Sequence, residues 1–456
     1  MSTVILGGGI IGLSTAYYLS LARASFPPSA AIHIIDSSPA LLASASGFAG
    51  GFLAEDWFSP PVASLGALSF RLHRELARTH DGPRRWGYAR SQTFNLSVDE
   101  RAAAAIRTGR NVDWLREGTS RAGAAGSSSS TPRANGGSGG DGETLNPDGS
   151  PAVWTPQPGG TLETISGPES CAQIEPRELC EFLLDECQKR GVQVHLSTTA
   201  IGILTDANGA LRGLELQSTS SSSNTELECN DILISAGAWT PRVFQTLFPS
   251  SKLHIPVEPL AGHSLVVKSP RYRTPFVDNG SGNWLCYAIY GAPGRHWSYA
   301  PEAFARLARN GQPEIWVGGL NDASLPLPAQ ASDVKALIDP ESIASLHKTT
   351  VQLTGRLLTE DGADDNHVNQ DDLETVREGL CFRPVGQKGT PVLGRIPENS
   401  LGLPQAGGGA KVWIASGHGP WGISLSLGTG LVMSEMISGK KPSADVRALL
   451  IASSMD

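Results

Sequence analysis

The sequence predicts an α/β (α+β) fold with two domains interleaved along one chain, and three observations predict it. The stretch "VILGGGIIGLSTAYYL" from Val4 to Leu19 reads as a short apolar strand, a glycine turn and an apolar helix in succession. "AAIHIID" follows as a second apolar strand that ends on Asp36. The stretch from His254 to Gly319 is rich in β-branched and aromatic residues, which predicts an antiparallel sheet in a second domain. A chain of 456 residues is long enough for two such domains, since one domain takes roughly 100 to 200 residues.

The amino-terminal element is Rossmann-like. Gly7, Gly9 and Gly12 make G-x-G-x-x-G at a strand-to-helix junction, where the glycines allow the tight turn, close approach of backbone to a pyrophosphate, and packing of helix on strand. Ile10 and Ile11 open the helix, whose free N–H groups and positive dipole end would face the phosphates. Asp36, with Ser37 after it, ends the next strand where a carboxylate would accept from ribose hydroxyls. A nicotinamide dinucleotide, a flavin dinucleotide and no ligand at all remain open on this motif alone. A nicotinamide domain would continue with further strand-helix units at regular pitch. Instead "SSPALLASASGFAGGFLAEDWF" brings Ser44, Ser46, Gly50 and Gly51, a second loop of small residues. There the backbone could again approach an extended cofactor, near its pyrophosphate and riboflavin half, although such a loop taken alone equally fits a flexible turn.

The middle of the chain continues the mixture. "RELCEFLLDECQKRG" has helical apolar spacing with a basic end and a glycine stop, and "NDILISAGAW" is a buried strand running into glycine. Gly118 to Ser150 is a low-complexity insertion expected to be disordered, and "STSSSSN" at Ser218 to Asn224 a polar loop between two strands. Within the insertion, Gly136, Ser138 and Gly140 satisfy G-x-S-x-G, which is meaningful only at a strand-to-helix turn and is a coincidence of composition here. The carboxylates around His367, from Glu360 to Asp372, lack the alternating spacing of a calcium loop and read as a solvated run, and HExxH does not occur, so no metal is expected.

Composition narrows the partners. Hydrophobic residues are 40% and charged residues 18% of the chain, ordinary for a globular enzyme. A formal charge of -8 leaves no basic field for nucleic acid or an anionic membrane surface, so small molecules are the expected partners. Six scattered cysteines form no CxxC pair, which fits a reducing compartment. No signal peptide and no integral membrane segment are expected, and the cytoplasm is the default location.

Four places in the chain resemble the D-amino-acid-oxidase-like family of FAD flavoproteins, the group that contains glycine oxidase and sarcosine oxidase. "GGGIIG" and "ASGFAGG" resemble its first two FAD loops. "IEPRELCEFLLDECQKRGVQVHLSTTAIGI" with "DILISAGAWTPRV" resembles the central helix, the adenine-contacting strand and the glycine turn beneath the cofactor. "CFRPVGQKGTPVLGRIPE" and "VWIASGHGPWGISLSLGTGLVMSEMISG" resemble the carboxy-terminal signature. "ASGFAGGFLAEDWF", "LSFRLHRELARTHDG" and "LCFRPVGQKGTPVLG" are similar to a fungal subgroup of oxidoreductases implicated in late-endosome-to-Golgi traffic.

The resemblance implies an FAD-binding domain over 1–90, 160–250 and 375–445, a substrate or cap domain over 91–117 and 251–374, and the insertion over 118–150. It adds Ala200, Ala236, Gly237 and Trp239 to the cofactor contacts. It places the backbone of His418 to Ile423, with Gly417, Gly419, Trp421 and Gly422, where donors would face the charge that a reduced flavin gathers. Arg383 stands where glycine oxidase and D-amino-acid oxidase have the arginine that clamps a substrate carboxylate. Cys381 stands at the spacing of the cysteine that the sarcosine oxidase branch bonds to its flavin, so "CFRP" mixes the two types and leaves both a non-covalent and a covalent FAD open. Trp284, Tyr287, Tyr290, Trp297 and Tyr299 are expected where the second domain's sheet covers the flavin. The activity implied is FAD-dependent oxidation of the C–N bond of a small amino acid or secondary amine. The alternatives are a flavin-binding protein with a non-catalytic part in endosomal membrane traffic, associated with endosomes, and a nicotinamide dehydrogenase.

Overall fold

A computed structural model describes residues 2–23, 31–98, 146, 150–157, 159–221, 223–273, 284–357, 369–404 and 409–451. All of the low-complexity insertion except residues 146 and 150, and the acidic stretch through His367, lie outside the described residues.

Among the described residues, six strands form one sheet in the spatial order Val392–Arg395, Lys411–Ser416, Asp231–Ile234, Thr3–Leu6, Ile32–Ile35, Gln193–His195. Every neighbouring pair is parallel except the edge strand Val392–Arg395. The four residues of Thr3–Leu6 are all buried, as are those of Ile32–Ile35 and Asp231–Ile234, because helices or a second sheet cover both faces. On one face the helices Ile10–Arg23, Pro60–Thr79, Pro176–Lys189 and Ser426–Ile437 close a large apolar core. On the other, Leu211, Leu214 and Leu216 of a three-stranded antiparallel sheet join Phe244, Leu247 and Phe248 over the strands. The polar stretch Ser218 to Asn224 connects two strands of that small sheet, as its composition implies.

The helix Pro176–Lys189 shows how locally written these elements are. Glu175 caps it by accepting from the Glu178 N–H at 2.8 Å, Pro176 occupies the first turn, and Leu179, Cys180, Phe182, Leu183 and Cys187 bury one face.

Among the described residues, the second sheet has ten strands and is antiparallel except where Leu285–Gly291 lies parallel to Ala89–Ser97. It includes Phe52–Ala54, Cys171–Gln173 and Glu374–Gly386, which but for Glu374 come from ranges expected in the nucleotide-binding domain. The chain therefore crosses between the two sheets several times, and both sheets wall a single large cavity. All six cysteines are free and buried, and no described helix is long and apolar enough to cross a membrane.

Candidate functional site

The cavity measures about 430 Å³, within the range of small-molecule and cofactor sites, and runs from the glycine turn to the strand that carries Arg383. At its first end the backbone does the shaping. Gly7 has φ +111°, and a Cβ there would lie 2.6 Å from the Ser235 carbonyl oxygen, so only glycine makes the turn. A Cβ on Gly12 would run into the Gly7 carbonyl, which makes Gly12 a packing residue and not a wall of the cavity. Gly9 is different. A Cβ on Gly9 would meet only Ser46 Oγ, at 3.1 Å, and one on Gly237 would meet nothing within 4 Å. Their bare faces leave a cradle in which a ligand can touch backbone. Ile10 and Ile11 line it too, and Ser46 Oγ accepts from the Ile10 N–H at 3.0 Å. Asp36 is fixed by the N–H of Gly8 on one carboxylate oxygen (2.9 Å) and that of Ser38 on the other (3.0 Å). Ser37, Ala200, Ala236 and Trp239 complete this end.

The second small-residue loop lies along the middle of the cavity through Ser44, Ser46 and Gly50. Ser44 Oγ accepts from the Phe382 N–H at 3.1 Å, joining the loop to the strand Glu374–Gly386. Gly51, with φ +90°, packs its α-carbon against the Ile174 carbonyl outside the cavity.

On that strand Cys381 and Arg383 share one face and both line the cavity. Arg383 Nη1 donates to Asn321 Oδ1 at 2.6 Å, in space that Gly262 leaves open, and no carboxylate pairs with it among the described residues. Burial pushes the Cys381 thiol up from its ordinary value, with only the Arg383 charge working against it. The sulfur is held protonated.

The carboxy-terminal segment closes the far side. His418, Gly419, Gly422 and Ile423 line the cavity, Gly417 turns the chain with φ +78°, and a 3-10 turn over Gly419–Trp421 leads to the helix, which begins at Ser426. The glycines and Pro420 favour this tighter turn ahead of the helix. His418 is buried, with Nε2 3.1 Å from Thr429 Oγ1 and Nδ1 without a partner among the described residues. Burial pushes its pKa down to about 3, so the ring is neutral. Trp421 lies outside the cavity and packs edge-on against Phe58, ring centres 4.9 Å apart.

Trp284, Tyr287, Tyr290, Trp297 and Tyr299 do not line the cavity; they sit in the core of the second sheet. The strand Leu285–Gly291, which carries Tyr287 and Tyr290, is separated by two others from Val257–Lys268, the strand beside Arg383. Phe48, Trp239, Trp316 and Phe382 are aromatic walls instead, and Trp316, Ser264 and Arg242 join the site without a local signal in the sequence. Only folding brings them there.

The residues present fit the flavin dinucleotide that the resemblance implies. The cradle at Gly9 and Gly237, the oriented Asp36 and the unsatisfied Nδ1 of His418 are all features that a long polar ligand would use.

Comparison with known proteins agrees. A family model described as "DAO: FAD dependent oxidoreductase" matches residues 2–436. A Schizosaccharomyces pombe protein named as an oxidoreductase, C1F5.03c, is 25% identical over 98% of this chain and 96% of its own. Among solved structures, glycine oxidase from Geobacillus kaustophilus aligns with TM-score 0.64 at 18% identity, covering 100% of this chain and 99% of that one. Iminodiacetate oxidase from Chelativorans sp. BNC1 aligns with TM-score 0.63 at 17% identity, covering 98% of each chain. At such identities these two structures establish the fold.

Proposed function

The chain belongs to the DAO family of FAD dependent oxidoreductases, and from that premise we propose that it oxidises the C–N bond of a small amino acid or secondary amine that carries a carboxylate. Arg383 is the observation that carries this reading. Its guanidinium is half-buried in the cavity, bonded to a neutral amide and lacking a carboxylate partner among the described residues. A buried charge without a counter-ion is costly, and a planar guanidinium pairs best with a bidentate carboxylate. A ligand carboxylate supplies what the fold withholds.

Bound FAD supplies a ring that accepts a hydride with its electron pair. The chain's own residues do the rest. Arg383 would fix the carboxylate and with it the direction of the adjacent C–H bond. Oxidation of a neutral amine so held would leave an iminium ion, which water would hydrolyse to a carbonyl compound and a protonated amine. His73 Nε2 donates to the Ile423 carbonyl at 3.0 Å and so holds the turn whose N–H groups border the cavity. FAD is read as non-covalently held, since a thiol kept protonated at Cys381 is a poor nucleophile.

The test is anaerobic bleaching. The FAD-loaded protein is mixed with a panel of amino acids, N-alkyl amino acids and amines without a carboxylate, and its visible absorption is followed. Bleaching by carboxylate-bearing amines alone is expected; a flavin that none of them reduces would overturn the catalytic reading. Acid precipitation should leave the yellow colour in the supernatant, and a yellow pellet would assign the covalent link to the chain.

A further inference from the structure

Behind the second loop lies a charge that the chemistry above does not use. Arg306, on the strand Glu302–Leu307, has no exposed surface. All five of its N–H donors are committed. Nε and Nη2 donate to Glu314 Oε1 at 2.9 and 2.7 Å, and Nη2 also donates to Glu175 Oε1 at 3.1 Å. The two protons of Nη1 go to the carbonyls of Ala49 and Gly50, at 3.1 and 2.7 Å. Next to them the Trp316 indole N–H donates to the Phe48 carbonyl at 3.0 Å. Three successive carbonyls of the loop are thus turned to the second sheet.

A trans peptide points its N–H opposite to its C=O. With the Ala49 and Gly50 carbonyls facing Arg306, the N–H groups of Gly50 and Gly51 face away from it; Ala49 and Gly50 are wall residues of the cavity, and Gly51 lies just outside it. Neither N–H has a hydrogen-bond acceptor among the described residues, although both glycines are buried. Buried peptide donors are rarely left unpaired.

We propose that Arg306 is a positioning residue for the cofactor: by holding the Ala49 and Gly50 carbonyls it fixes the Gly50 N–H as a donor for an acceptor atom of FAD. This rests on FAD occupying the cavity and is independent of the amine chemistry. The cost of burying the guanidinium is offset by Glu175 and Glu314, so the orientation persists without ligand. The donor needs no reorganisation when FAD arrives.

The test compares FAD affinity, from quenching of flavin fluorescence on titration of the apoprotein, with the thermal midpoint of the same apoprotein. Arg306→Lys keeps the charge but cannot span two carbonyls and two carboxylates. Glu314→Gln disturbs the same network while leaving both carbonyl contacts in place. The expected result is at least a tenfold weaker FAD dissociation constant for Arg306→Lys, with Glu314→Gln within threefold of the wild type. A smaller loss in Arg306→Lys, or a loss that Glu314→Gln matches, overturns the proposal. If Arg306→Lys does not fold, hydrogen exchange of the wild-type apoprotein decides. Amides of residues 49–51 should exchange at least tenfold more slowly than an unstructured chain before FAD is added, and faster exchange overturns the proposal.

Discussion

The two ends of the cavity are made by different means. The glycine-turn end comes from short contiguous segments, Gly7 to Gly12 and Asp36 to Ser38, and its shape is a backbone shape. The Arg383 end is assembled from side chains distant in sequence: Ser44 on Phe382, His73 on Ile423, Asn321 on Arg383. The first can be damaged only by a change that moves backbone. The second consists of separable contacts, each with its own cost.

The largest effect is therefore expected at Gly12. Its absent Cβ leaves room for the Gly7 carbonyl, and backbone cannot swing aside as a flexible side chain would. Gly12→Ala should cost about 3 kcal/mol of stability by overpacking and yield protein that purifies colourless, checked by denaturant unfolding and the visible spectrum. A stable yellow Gly12→Ala would erase the contrast between the two ends.

His73 sharpens the comparison next, through pH. It is fully buried, and burial pushes its pKa down to about 4 against an ordinary 6.5. The fold therefore favours the neutral ring. The stability this gives is complete above pH 6.5 and is lost as pH falls from there toward 4, by roughly 3 kcal/mol in all. His73→Gln should flatten that part of the stability profile, read as thermal midpoints from pH 4 to 7. An unchanged slope would mean that the acid sensitivity arises elsewhere.

Arg383 comes third. Arg383→Ala should weaken carboxylate ligands by about 2 kcal/mol, near thirtyfold. FAD affinity should stay where it is, since the contact belongs to one side chain. A titration with small carboxylates that perturb the flavin spectrum reads the first, and fluorescence quenching reads the second. Equal loss of both would place Arg383 on the cofactor.

That same divide separates what the sequence reveals from what it hides. The glycine turn, the second small-residue loop, Asp36 and the helix Pro176–Lys189 are legible because their signals, glycine spacing, capping and apolar period, sit within a few residues of each other. Trp316, Ser264 and Arg306 are not. Strand pairing carries them to the site, and nothing within their own neighbourhood distinguishes them from core. The aromatics at 284–299 mislead for the converse reason: their composition is right for a pocket wall, but sheet order places them two strands too far away. Arg383 became legible only through family resemblance, since an arginine in a strand says nothing by itself about which side chain will neutralise it.

The smallest expected effect lies between the two ends. Glu178, in the first turn of the helix that Glu175 caps, is pushed up to about 7, first by burial and then by the nearby charges of Glu175 and Glu314, with Arg309 working against the shift. One of its oxygens is buried without a hydrogen-bond partner among the described residues. Its sign is opposite to that of His73. The fold favours the protonated acid, so this contribution is fully present below pH 4.5, where the unfolded chain is also protonated, and is lost as pH rises from there through about 7. Glu178→Gln keeps the shape and removes the titration. It should leave stability below pH 4.5 unchanged and raise the thermal midpoint slightly at pH 8, so that the variant and the wild type diverge as pH rises from about 4.5 to 7 and stay apart above that. A variant less stable than the wild type at pH 8 would mean instead that Glu178 is ionised beside Arg309 and that the helix start draws on that pair.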